Sequence, residues 1–186
     1  MAISLDATVG GASANTYIDL SGANAIVEGF VLDDDVAAWS TSTVDNQNRA
    51  LFTAAQRIDR ERFLGARVAD SQALQWPRSG VRKPDTYTNL YGLSFPNRLV
   101  ADYYLDTEIP DRVKKAQVVL AVFLNNNKDA LGLSGLENFN SVNIGSINVT
   151  PRFFGAVGAD QVPPMFQEYL NGIRISTPGN ISIKRA

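Results

Sequence analysis

The sequence predicts a mainly α protein: a small helical bundle with extended loops, a short β-hairpin and an extended C-terminal tail. Two segments place apolar residues at helical spacing, and one segment, residues 142–149, alternates apolar and polar residues as a strand does. Both ends of the chain and residues 82–108 show neither period. With 186 residues, of which 45% are hydrophobic, the chain can build the core of one domain.

The N-terminal part predicts one short helix. Within residues 17–31, apolar side chains fall on a single helical face, and Asp19 or Ser21 is suited to cap it. The face comprises Ala23, Ile26, Val27 and Phe30. The run Asp33–Asp35 is expected to begin a linker or a short turn that leads to Trp39.

The strongest helical pattern runs from about residue 45 to residue 62. Ser42 or Thr43 can supply its N-terminal cap, and Gly65 is expected to end it. Its apolar stripe consists of Leu51, Ala54, Ala55 and Ile58.

A second strong helix follows Pro110, which fits the first helical position. Its expected buried stripe consists of Val113, Ala116, Leu120, Phe123 and Leu124, and it ends at the asparagine run 125–127. Residues 142–149 predict a strand or a tight hairpin, and residues 163–171 predict a short helix.

These elements predict a domain over residues 1–172 and an extended tail over residues 173–186. The domain carries a long loop insertion at 82–108, which is rich in aromatic residues and broken by proline and glycine. Long irregular segments of this kind are typical of interfaces. Its aromatic residues either fold over their own subunit or contact a neighbouring subunit or a tail protein, and the irregularity of the segment favours the contact: Tyr87, Tyr91, Phe95, Tyr103 and Tyr104.

The chain contains no cysteine and no histidine. This excludes disulfides, thiol catalysis, histidine bases and the usual ligands of transition metals. The Asp33–Asp35 run lacks the spacing, turn glycine and distal glutamate of a calcium loop. We expect a non-enzymatic protein with no metal and no cofactor.

Charge is distributed unevenly along the chain. The first 48 residues carry acidic side chains but no lysine or arginine, whereas residues 49–115 hold twelve Lys and Arg. This asymmetry either favours self-association between the acidic and basic regions or reflects two solvated faces. The net charge of −2 is not that of a strongly basic nucleic-acid-binding protein. Neither a membrane helix nor a signal peptide is predicted, so we expect synthesis in the cytoplasm.

Trp76, Pro77 and Arg78 admit two interpretations. Trp76 can anchor the core, with Pro77 fixing a turn and Arg78 forming a structural pair. Alternatively, the indole and the guanidinium can stack on a nucleobase.

The order of these motifs resembles the head-to-tail connector, or adaptor, proteins of tailed bacteriophages, sequences of which are also labelled DnaT-like single-stranded-DNA-binding. The resemblance covers most of residues 17–172, starting with Tyr17 and Trp39. Its most specific part is the Gln-x-Leu-x-Trp-Pro-Arg-x-Gly block at residues 72–80, followed by Ile109, Pro110 and a helix.

The resemblance implies a structural virion protein at the head–tail interface. It implies a ring of about a dozen copies that joins the portal at the capsid vertex to tail tube, nozzle or tail-fibre proteins. Packaged DNA would then pass through the lumen without tight binding. By the same analogy, the tail would contact the portal through Ile175, Ile181, Ile183, Lys184 and Arg185.

The alternative function is that of a single-stranded-DNA-binding replication protein. Trp76, the tyrosines and the basic residues Arg78, Arg82 and Lys83 favour it. It predicts salt-sensitive binding to oligonucleotides that Trp76→Ala weakens.

Overall fold

A central buried helix, α4 (Asp111–Asn126), organises the fold. The computed structural model describes residues 3–84, 103–127, 142–144, 147–149 and 162–175. Within these ranges four further helices occur: α1 (Leu20–Val27), α2 (Asp34–Thr41), α3 (Val44–Ile58) and α5 (Pro164–Leu170). All four contact α4, which confirms the mainly α bundle that the sequence predicts.

Helix α4 is buried on nearly every side. Of the predicted stripe, Val113, Ala116, Leu120 and Leu124 are buried, whereas Phe123 is only partly buried. The buried residues also include Gln117, Val118, Val119, Ala121 and Val122. A helix that is apolar around its circumference belongs in the middle of a bundle. Pro110 directly precedes α4 and does not occupy its first turn.

Three helices begin with side-chain caps. Asp19 accepts a hydrogen bond from the Gly22 amide, Asp33 from the Val36 amide and Thr43 from the Asn46 amide. The prediction of a linker at Asp33–Asp35 was therefore wrong, because Asp33 caps α2 and the two following aspartates lie in its first turn. Negative side chains are favourable there because they face the positive end of the helix dipole.

Helix α3 is the strongest predicted helix, and its stripe of Leu51, Ala54, Ala55 and Ile58 is buried as expected. It ends at Ile58, before the predicted end near residue 62. Gly65 instead lies in the following loop with a φ of 70°, where a Cβ atom would overlap the Ser79 carbonyl oxygen. Glycine is needed at this position for both reasons.

A buried glutamine on α4 connects distant parts of the core. The Gln117 amide donates hydrogen bonds to the Thr16 hydroxyl at 2.6 Å and to the Leu51 carbonyl at 2.9 Å, and its oxygen accepts the Tyr17 amide at 3.0 Å. All its polar atoms are thus satisfied in the interior. The sequence pattern had not indicated this polar residue.

Short strands complete the fold. β1 (Ala66–Arg67) pairs with β2 (Arg78–Ser79), and β3 (Val142–Ile144) pairs with β4 (Ile147–Val149), both antiparallel. The second pair confirms the predicted hairpin. No helix among the described residues is long and apolar enough to cross a membrane.

Residues 62–64 lie against residues 173–175, just after α5. The Leu64 amide donates to the Ile173 carbonyl and the Ile175 amide to the Arg62 carbonyl. Ile173 is fully buried, whereas Ile175 is exposed. The chain is therefore held in the domain as far as residue 175.

Candidate functional site

Trp76 lies in the core. Its side chain is 1% exposed and packs edge-on against Phe63 at 5.6 Å and Tyr104 at 6.1 Å between ring centroids. A ring enclosed on both sides has no face to offer a nucleobase. This geometry fits the interpretation of Trp76 as a core anchor and removes it from any binding surface.

Arg78 is committed to the backbone of its own fold. Its guanidinium donates to the carbonyls of Phe63, Leu64 and Gly65 and to the Gln75 carbonyl and side chain. The residue is 8% exposed. Arg78 thus satisfies the carbonyls of the loop before β1 and is unavailable to a phosphate. Pro77, joined to Trp76 by a cis peptide bond, and Pro110 are also buried.

Tyr103 is the only exposed aromatic side chain among the described residues, with half of its surface accessible. It forms an antiparallel bridge with Arg82. The next residue, Tyr104, donates its amide to the Val81 carbonyl and turns its ring onto Trp76. Of these two predicted contact residues, Tyr104 packs against the core and only Tyr103 faces solvent.

Four chain segments that contact one another, one of which is bridged to Tyr103, carry basic side chains. We name Arg62, Arg82, Lys83, Arg112 and Arg174 the basic edge. The backbone bridge between Phe63 and Arg174 joins the first segment to the last. A Cβ atom on Gly172 would lie 3.1 Å from the Pro84 side chain and 4.0 Å from the Arg112 guanidinium, which brings the remaining members together.

Members of the basic edge also interact with their own fold. Arg174 pairs with Glu61 at 3.6 Å, and the Arg112 guanidinium donates to the Asn171 carbonyl at 3.0 Å. The Lys83 ammonium lies 5.7 Å from the centre of the Tyr104 ring, a cation–π arrangement. Arg82 is thus bridged to the exposed Tyr103, whereas Lys83 lies over the ring of Tyr104. An arginine next to an exposed aromatic ring is a combination typical of surfaces that bind single strands.

Several predicted contact residues lie outside the described part of the chain: Tyr87, Tyr91, Phe95, Ile181, Ile183, Lys184 and Arg185. The Asp33–Asp35 run lies inside it. Asp33 caps α2, and Asp35 accepts from the Asn126 and Asn127 side-chain amides. Among the described residues, no group of three acidic side chains is placed to hold a metal ion.

A buried tyrosine, Tyr17, fixes the loop that carries Gln75. The Tyr17 hydroxyl donates to the Asp59 carboxylate, and both groups accept the Gln75 amide, at 3.2 and 3.1 Å. Burial raises the pKa of Tyr17 far above its ordinary value of 10, and the Asp59 charge raises it further. Burial also raises the pKa of Asp59.

The Tyr17 shift predicts a loss of stability in alkali. A group with a raised pKa contributes stability that is fully present below the ordinary value of 10 and is lost as the pH rises beyond it, because the unfolded state releases its proton first. Urea unfolding between pH 8 and about pH 11 should show a steeper decline for wild type than for Tyr17→Phe. Equal slopes in the two proteins would contradict this assignment.

Comparison with known proteins identifies the family. A family model described as "Putative DnaT-like ssDNA binding protein" matches residues 1–186. The chain therefore belongs to this DnaT-like family. No curated protein and no solved structure matches the chain significantly.

The family match corrects the function expected from the resemblance to phage connectors. The description of the matched family names single-stranded-DNA binding, and the match covers the whole chain. Nothing in the comparisons points to a portal, a tail or a connector ring. The error has a physical cause. The most specific motif residues, Trp76 and Arg78, are buried and support the fold. Because they do not reach the surface, they carry no information about which partner the protein binds.

Proposed function

We propose that this protein binds single-stranded DNA, without a catalytic step, through Tyr103 and the basic edge. The observation that carries the proposal is the family match over residues 1–186. The structure adds a surface with suitable chemistry. Tyr103 offers a ring on which an unpaired base can stack, and the neighbouring cations can neutralise the flanking phosphates.

Single strands suit this surface better than duplexes do. Stacking on a side chain requires an unstacked base, and in a duplex both faces of each base are covered by its neighbours. The overall charge of −2 limits the long-range attraction for nucleic acid. We therefore expect binding to depend on local contacts at the basic edge and to be moderate in affinity.

A direct test compares a fluorescein-labelled oligothymidylate with a duplex of equal length by fluorescence anisotropy at low salt. We expect saturable binding to the single strand, weakening as salt is added, and weaker binding to the duplex. A protein that leaves the anisotropy of the oligothymidylate unchanged at low salt would refute the proposed function.

The double variant Arg82→Ala/Lys83→Ala should reduce the salt dependence of binding. Each phosphate contact in a single strand contributes about 0.7 to the slope of log K against log salt, so losing two contacts should lower that slope by about 1.4. Anisotropy titrations across a salt series measure this slope.

Arg49→Ala serves as the matched control. Arg49 pairs with Asp45 at 2.9 Å near the start of α3, about 14 Å along the helix axis from its C-terminal end. This variant should keep the wild-type slope. If the slope of log K against log salt is the same in wild type and in the double variant, the phosphates of the strand contact another part of the protein.

A further inference from the structure

A small apolar cleft lies beside the proposed binding surface. Its volume is about 260 Å³, just below the range of about 300–1,000 Å³ typical of sites for drug-sized ligands. Val9, Val68 and Pro77 supply apolar walls, and Asp106 and Thr107 stand at the cleft with polar side chains. A site of this size suits one flat heterocycle.

The cleft and Tyr103 are close along the chain on two sides. Asp106 follows Tyr103 by three residues, so their Cα atoms lie no more than about 11 Å apart. On the other side, Pro77 precedes β2, and the same chain leads on to Arg82, the bridge partner of Tyr103. One short strand of DNA that stacks a base on Tyr103 can therefore place a neighbouring base at the cleft.

The polar groups at the cleft differ in what they can offer. The buried Gln72 amide is fully used, since it donates to the Leu74 and Pro77 carbonyls and accepts the Ala69 amide. Among the described residues, the Asp106 and Thr107 side chains make no hydrogen bond, and Asp106 is exposed. A carboxylate is an acceptor only, so it selects ligands that present N–H donors.

We infer that the cleft bounded by Val68, Pro77 and Asp106 binds a guanine base of the single strand. Guanine presents two adjacent donors, its ring N–H and its amino group, which match the two oxygens of one carboxylate. Thymine presents a single N–H between two carbonyl oxygens, and these would face the negative charge of Asp106. This inference rests on the proposed function, because it assigns base preference to the same DNA-binding surface.

The preference can be measured by comparing an oligothymidylate with the same oligonucleotide carrying one central guanine. A single guanine in a uniform tract lets the strand choose the register that places guanine at the cleft. We expect the guanine-containing strand to bind about tenfold more tightly, in line with one good bidentate contact. Substituting adenine or cytosine at the same position should give a smaller gain.

Two variants locate the effect. Asp106→Asn should reduce the guanine preference, measured as the ratio of the two affinities, to about twofold or less. Ala69→Leu, which fills the cleft from its wall, should have the same effect on preference. Asp70→Asn, an exposed carboxylate outside the cleft lining, should keep the wild-type preference.

The outcomes separate this inference from the proposed function. Wild-type binding to oligothymidylate with no gain from guanine, or a gain that survives Asp106→Asn, would overturn the cleft assignment and leave single-stranded-DNA binding intact. Absence of binding to every oligonucleotide at low salt would overturn both.

Discussion

Tyr103→Ala is expected to lower the affinity for oligothymidylate by about 5- to 150-fold. Stacking of one base on an aromatic side chain contributes about 1–3 kcal/mol, and Tyr103 is the only exposed aromatic ring that the described residues provide. Because half of its side chain is already in solvent, its removal should change the free energy of unfolding little. Anisotropy titrations and urea denaturation measure the two quantities separately.

Tyr103→Phe is the matched control, since it keeps the ring and removes only the hydroxyl. It should bind nearly as tightly as wild type if stacking is the interaction that matters. A Tyr103→Ala protein that retains wild-type affinity would show that bases do not stack at this position and would move the binding surface to another part of the chain.

Trp76→Ala is expected to destabilise the fold by about 3–5 kcal/mol, the usual cost of truncating a buried tryptophan. The substitution leaves a cavity between Phe63 and Tyr104 and removes both edge-on ring contacts. A lower midpoint of urea unfolding, with little change in the dependence on urea concentration, would report this loss.

The same variant separates the two interpretations of the Trp-Pro-Arg block. The folded fraction of Trp76→Ala, measured at low temperature and without denaturant, should still bind oligothymidylate. Trp76→Phe should lose less stability, because a smaller cavity remains. A Trp76→Ala protein with wild-type stability and no affinity would instead return Trp76 to the binding surface.

Local rules predicted the helices well. The spacing of Leu51, Ala54, Ala55 and Ile58 fixed both the existence of α3 and its buried face, and Asp19 and Thr43 marked helix starts because their side chains accept amide hydrogens. The Asp33–Asp35 run was misinterpreted because the apolar pattern of α2 is short. Only Val36 and Trp39 are buried in it, which is too few to reveal a helical period.

The candidate site was harder to predict because neighbouring residues differ in whether their side chains are exposed or buried. Tyr103 is exposed while Tyr104 packs on Trp76, and nothing local in the sequence distinguishes the two. Arg78 also looked available until the structure showed its guanidinium bound to the carbonyls of residues 63–65. Both outcomes depend on strand pairings between distant segments, which residue spacing does not encode.

The hydrogen bonds of Gln117 also constrain the order in which the protein can fold. They join residues separated by 66 to 101 positions along the chain. Such distant contacts close late, because the entropy of the intervening chain must be lost before they form. During synthesis, α3 can begin to form as soon as it leaves the ribosome, and Tyr17 can meet Asp59 and Gln75 before α4 exists. The hydrogen bonds that join Thr16, Tyr17 and Leu51 to Gln117 must wait until α4 has been made.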